Sequence, residues 1–149
     1  MRGGHYLVMS LPLLLLLAGC GASPSAPQQA DLEAKQFPPP APDRGALYVY
    51  RSSWYGAAKA LDIGVVGGAT AQLAPNTFIR VEGPPGPVEV GCKVGDKSGT
   101  GQVQVTDGQT RFVEVSMTIG WWTPGCEVAE VPPDQGRAAV LAGRRLEPQ

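Results

Sequence analysis

Val88, Val90, Cys92 and Val94 stand on one side of a run whose other side is Glu89, Gly91 and Lys93. A period of two marks a strand with one face in a core and one in water. The same period recurs at Ala46–Arg51, Ala60–Val66, Thr70–Leu73, Thr77–Glu82, Gln102–Thr106, Thr110–Ile119 and Cys126–Val131. Between these runs lie turn residues: Gly67-Gly68, Ala74-Pro75-Asn76, Pro84-Pro85-Gly86-Pro87, Gly95 to Thr100, the hairpin signal Asp107-Gly108, and the loop Gly120 to Gly125. Asp134 is placed to cap a short helix that runs through Ala142 and stops at Gly143. About eight short strands with a C-terminal helix predict an all-β domain over residues 45–143, an Ig-like or prealbumin-like β-sandwich. A partly open barrel is the alternative. Residues 144–149 read as a flexible tail.

The amino-terminal third has a different character. Arg2 precedes an apolar stretch, Tyr6 to Met9 and Leu11 to Leu17, interrupted by Ser10 and Pro12. It is shorter than the roughly 20 apolar residues a membrane-spanning helix needs, and it suits the h-region of a signal peptide. Leu17-Ala18-Gly19-Cys20 resembles the lipobox of bacterial lipoproteins. That resemblance implies cleavage after residue 19 and a lipid-bearing thioether on Cys20. An ordinary signal peptide with an incidental cysteine is the plainer alternative. One acyl chain binds a bilayer only reversibly, whereas two or three hold a protein there. Gly21 stands where aspartate would mark inner-membrane retention in the enterobacterial sorting pattern, so by resemblance it points to the outer membrane. Residues 20–44 then read as the lipidated cysteine and a disordered, Pro-rich tether. Pro38-Pro-Pro-Ala-Pro42 favours extended polyproline geometry, and Asp31 to Gln36 is long enough for one turn of helix that is unstable alone.

Removing residues 1–19 has two chemical consequences. It discards His5, the one histidine of the chain, and with it Ser-His-Asp and Cys-His catalysis and histidine metal sites. It also leaves Cys92 and Cys126 as an even pair, each on the apolar side of its strand. In an oxidising compartment such a pair predicts a disulfide. Two buried free thiols are the alternative, and the absence of a Cys-x-x-Cys motif weighs against a redox or metal role. Asp62, Glu82, Glu89 and Glu114 lie on strands and read as solvated charges. Gly64-Val-Val-Gly-Gly68 lacks the Lys-Ser/Thr pair of a phosphate loop. With 12 basic and 13 acidic side chains and no basic cluster, nothing favours nucleic acid. No cofactor is expected.

One group of residues suggests binding. Trp54 and Tyr55 follow the first strand, and Trp121 and Trp122 precede the last. If every connection reverses the chain, the first and seventh strands run the same way, and both loops emerge at one end, beside Gly95 to Thr100. Such aromatic rings either cover the open end of a small core as a lid, or form a surface for a glycan or an envelope protein.

The run Ala46-Leu-Tyr-Val-Tyr-Arg51, the hydroxyl and Gly56 after it, Phe78-Ile-Arg-Val81 followed by Pro84-Pro-Gly86, and Gly-Gln-Thr-Arg-Phe-Val-Glu-Val at 108–115 together resemble a family of small bacterial lipoproteins catalogued as a domain of unknown function. The resemblance covers roughly residues 45–142, and Cys92 and Cys126 depart from its pattern. It implies a lipid-anchored β-rich domain and no reaction. The expectation is therefore a non-enzymatic cell-envelope protein, facing the periplasm at the outer membrane, with a β-sandwich interaction module. A structural accessory subunit of a larger envelope complex is the alternative.

Overall fold

The computed structural model describes residues 23–149. The segment read as a signal peptide and Cys20 lie outside the described residues. A helix α1 (Gln28–Ala34) is followed by eight strands: β1 (Gly45–Arg51), β2 (Leu61–Val65), β3 (Ala69–Leu73), β4 (Thr77–Gly83), β5 (Gly86–Val94), β6 (Lys97–Val105), β7 (Thr110–Thr118) and β8 (Gly125–Val131). Helix α2 (Pro133–Ala142) and a two-residue strand β9 (Arg144–Arg145) end the fold. The strands form two sheets, ordered β8-β7-β1-β4-β9 and β3-β2-β5-β6. The protein is an all-β sandwich with a C-terminal helix, as its alternation predicts.

Two apolar layers hold it together. Between the sheets lie Leu47, Val49, Leu61, Ile63, Leu73, Ile79, Val90, Val103, Val113 and Val115. The second layer lies outside the five-stranded sheet, where Tyr48, Tyr50, Phe78 and Phe112 pack under Ala34 of α1 and Val140 of α2. All seven residues of β1 are therefore buried. Its odd-numbered side chains from Leu47 face the other sheet, and its tyrosines face the helices.

The segment 23–44 is not a disordered tether in the structure. Ser23 is buried; its N–H donates to the Gln72 carbonyl at 3.2 Å, and its hydroxyl accepts from the Gln72 N–H at 2.8 Å. Ser25 bridges to Leu146. The Tyr48 hydroxyl donates to the Ala34 carbonyl at 2.7 Å. Phe37 meets Tyr48 and Phe112 at centroid distances of 5.6 and 5.9 Å, with the Arg137 guanidinium 4.7 Å above its ring. The prolines follow the sheet as well, because Glu82 accepts from the Ala41 N–H at 3.1 Å. Local composition has little to bury, but the outer aromatic face and non-local backbone pairing provide the site. Docking also explains why a helix of seven residues persists, since a short helix is stabilised by packing rather than propensity.

The tail 144–149 is likewise fixed. Leu146 is buried, and the Gln149 backbone exchanges hydrogen bonds with Thr70 at 2.8 and 3.0 Å. Ser23 and Gln149 together pair the outer edge of β3. Opposite, β8 lies on β6, where a Cβ at Gly99 would meet the Cys126 carbonyl oxygen at 2.3 Å; only glycine allows that approach. Cys92 on β5 and Cys126 on β8 belong to different sheets, and their sulfurs lie 2.11 Å apart, at bonding distance.

Three local expectations change. Lys97 pairs with Val94, so residues 95–100 are a two-residue turn and the start of β6. The 84–87 turn shrinks to Pro84-Pro85, because β5 begins at Gly86. Asp134 makes no capping hydrogen bond: α2 starts on Pro133, whose ring presets the helical φ, and Asp134 sits inside the first turn.

Two predictions test this packing. Replacing both Cys92 and Cys126 by alanine lowers stability by about 3–4 kcal/mol, the chain-entropy value for a loop of this length. Dithiothreitol destabilises the natural chain in urea titrations and leaves the variant unchanged. The second concerns Asp31. Burial pushes its carboxyl up, but Lys35, the Arg145 N–H and Arg144 outweigh that and hold it below 3.8. A depressed folded-state pKa contributes stability above the ordinary carboxylate value, and that contribution is lost as pH falls through the folded one. Asp31→Asn costs about 0.5–1.5 kcal/mol at neutral pH, and the difference from the natural chain vanishes at pH values below the folded pKa.

Candidate interaction surface

The site begins at the last residue of β1. Leu47, Val49 and Arg51 share the inner face, so alternation carries an arginine into the end of the core, where it is 0% exposed. No carboxylate meets it. Its Nη1 donates to the carbonyls of Lys59 at 2.7 Å and Leu73 at 3.1 Å, and its Nη2 to those of Tyr55 at 2.9 Å and Gly56 at 3.1 Å. Met117 Sδ lies 3.6 Å from Nη2. Nε has no partner. Burial weakens the hold on its proton, but a guanidinium stays charged in proteins. The four carbonyl dipoles thus take the place of a counter-ion, and the loop 52–60 wraps around the cation with its backbone facing inward.

The loop is held at further points. Gly56 has φ +67°, and a Cβ there would fall 2.1 Å from Met117 Sδ. The Ser52 hydroxyl donates to the Glu114 carboxylate. The Asn76 amide, in the turn before β4, lies 3.2 Å from the Ser52 carbonyl and 3.1 Å from Trp54 Nε1; turned with its nitrogen toward Ser52, it donates to that carbonyl and accepts from the indole. Trp54 is therefore fixed by one edge.

Strands β1 and β7 pair in parallel, Ala46 with Thr110 through Tyr50 with Glu114. The loops after them, 52–60 and 119–124, leave the sandwich at the same end, as the sequence suggests. The registers of β5 with β6 and of β1 with β4 bring the turns 95–96 and 74–76 to that end too. The rings do not form a lid. Exposure is 97% for Trp121, 95% for Trp122, 70% for Trp54, 46% for Tyr55 and 80% for the neighbouring Ile119. Arg51 and Met117 fill the end of the core instead, and the rings stand outside it. Large exposed apolar groups at one end make it the candidate interaction surface of the domain.

Three of the remaining candidates have structural partners. Asp62 accepts from Gln72 Nε2 at 2.8 Å. Glu82 pairs with Arg80 at 2.6 Å, and Glu114 holds Ser52. Glu89 is exposed on β5. Tyr50 buries its hydroxyl without a partner; burial and the Glu114 charge push it up to about 12, so it stays neutral and offers no base. A cleft of about 360 Å³ lies at the other end, lined by Leu47, Val65, Val81, Pro84, Pro85 and Val88 among others. Arg51 is the residue that sequence reading passes over. Its signal was an arginine in phase with Leu47 and Val49.

Arg51→Met keeps length and removes the donors. It costs about 2–4 kcal/mol, since each carbonyl left unpaired costs about 1–3. Amide hydrogen exchange at residues 53–60 accelerates, and Arg51→Lys falls between. Exchange unchanged in Arg51→Met contradicts the cradle.

No family model matches this chain, and no solved structure matches it. A Haemophilus influenzae protein described only as an uncharacterized protein is 24% identical over 126 residues, covering 85% of this chain and 75% of its own length.

Proposed function

We propose that the chain is a non-enzymatic, lipid-anchored protein of the bacterial cell envelope, acylated on Cys20 and held at the periplasmic side of the outer membrane, whose aromatic end is its interaction surface. This reading joins the lipobox-like Leu17-Ala18-Gly19-Cys20 and the small-lipoprotein resemblance to one structural observation that carries it. Trp54, Tyr55, Trp121 and Trp122 stand exposed at one end, and a buried arginine and an asparagine fix the loop that carries the first two. A surface built for binding is preorganised in this way, because ordering cost falls on folding and not on association.

An accessory subunit of a larger envelope complex is the alternative. The edge of β3 is paired by Ser23 and Gln149, and β9 is paired by Ala26, so strand addition has no free edge there; such a subunit would dock through the aromatic end or along the edges of β6 and β8.

The test is acylation itself. Expressed with its leader in a Gram-negative host, the natural chain partitions into the outer-membrane fraction. Its amino-terminal peptide carries the mass of a diacylglyceryl cysteine. Cys20→Ala moves the protein out of that fraction while urea stability is unchanged. A natural chain recovered soluble with unmodified Cys20 refutes the anchor.

A further inference from the structure

We infer that the aromatic end is seated on the bilayer, with Trp121, Trp122 and Trp54 at the boundary between lipid headgroups and acyl chains. This inference rests on the lipid-anchor reading above and names the partner of that surface.

The argument turns on where the docked chain begins. A free tether of two dozen residues would let the domain face any direction. The structure fixes Ser23 on Gln72, so two residues, Gly21 and Ala22, separate Cys20 from the folded body. The three steps from Cys20 to Ser23 span at most about 10 Å at 3.3–3.6 Å each. Gln72 is the next-to-last residue of β3, and that strand runs toward the aromatic end. Its neighbour Leu73 gives its carbonyl to Arg51, whose other nitrogen holds Tyr55. Ser23 therefore sits one residue from the end of β3 that meets the loop carrying Trp54 and Tyr55, and a lipid on Cys20 holds that corner of the domain within about 10 Å of the membrane surface.

The chemistry of the end suits such a surface. The loops 52–60, 74–76, 95–96 and 119–124 contain two charged side chains, Lys59 and Asp96, which cancel. Tryptophan and tyrosine collect at membrane interfaces because an apolar ring carries a polar edge. Pro124, Ile119, Ala57 and Ala58 add apolar surface to the same loops. Exposed Lys97 and Arg144 border these loops, but a zwitterionic bilayer carries no net charge, so binding to it rests on the rings and is insensitive to salt.

All three tryptophans of the chain are in these loops, so intrinsic fluorescence reports on this end alone. The natural chain, extracted from membranes, is reconstituted into phosphatidylcholine vesicles with ordinary or dibrominated acyl chains. Brominated chains quench most of the tryptophan emission, and the emission is blue-shifted relative to detergent-free Cys20→Ala protein. Quenching persists when salt shortens the Debye length to about 3 Å. In Trp121→Ser/Trp122→Ser, folded by circular dichroism, most of the bromine-sensitive signal is lost. Emission untouched by bromine and fully accessible to aqueous iodide overturns the inference. So does a shift produced by cell-wall glycans, or by a co-purifying protein, without bromine quenching. Salt-sensitive quenching overturns the apolar mechanism. The mass of the reconstituted protein reports acylation separately. If Cys20 proves unmodified, the anchor reading fails while bromine quenching of the unanchored chain, mixed with the same vesicles, still decides where this end resides.

Discussion

A guanidinium at the end of an apolar core demands compensation, because an unpaired buried charge is among the costliest features a fold can carry. Arg51 meets that demand with carbonyls instead of a carboxylate. Three come from the loop after β1 and one from the end of β3. This choice has consequences beyond one residue. The loop must turn its backbone inward, Gly56 must be a glycine to pass Met117, and the end of the core is already filled. No room is left beneath the loop for Trp54 or Tyr55. Their exposure follows from the placement of the cation as directly as from their own chemistry.

Burial of β1 on both faces links this end to the rest of the molecule. Arg51, Val49 and Leu47 look into the sandwich, while Tyr48 and Tyr50 look outward and need a second cover. The two helices provide it, and α1 brings the amino-terminal segment with it. Asp31 then accepts from the Arg145 N–H at 2.7 Å, so the first helix fixes the last strand. The sandwich is closed on one side by β8 lying on glycines of β6, and on the other by both chain ends. The edges of β3 and β9, which would otherwise present unpaired N–H and C=O groups, are paired by those ends.

Most strands were legible from the sequence because each shows one apolar face at a period of two; β6 begins five residues before the expected Gln102, where Ser98, Gly99, Thr100 and Gly101 offer no apolar alternation. The parallel relation of the first and seventh strands was legible too, since it follows from counting reversals. The docked segment 23–44 was not. Its residues are small, polar or proline, and what stabilises them is a site built by Tyr48, Phe78 and Phe112 far along the chain. A single clue was present in Phe37, the lone aromatic of that stretch, which finds its partners only in three dimensions. The rings at the aromatic end presented the opposite difficulty. Large apolar side chains ordinarily fill cores, and only the arginine in phase with Leu47 and Val49 signals that this core is already capped.

The docked amino-terminal segment also changes what the aromatic end must accomplish. A spacer of two residues confines the domain to within a short distance of any bilayer that holds Cys20. Short links of this kind correspond to effective concentrations in the millimolar range. A surface with a dissociation constant of about 1 mM, equivalent to roughly −4 kcal/mol, is then seated about half of the time. Three interfacial tryptophans therefore need little intrinsic affinity, and no charge, to orient the domain. On the proposed anchoring, the acyl chains supply attachment and the rings supply direction. The cleft lined by Val65, Val81 and Val88 then lies at the far end from the membrane.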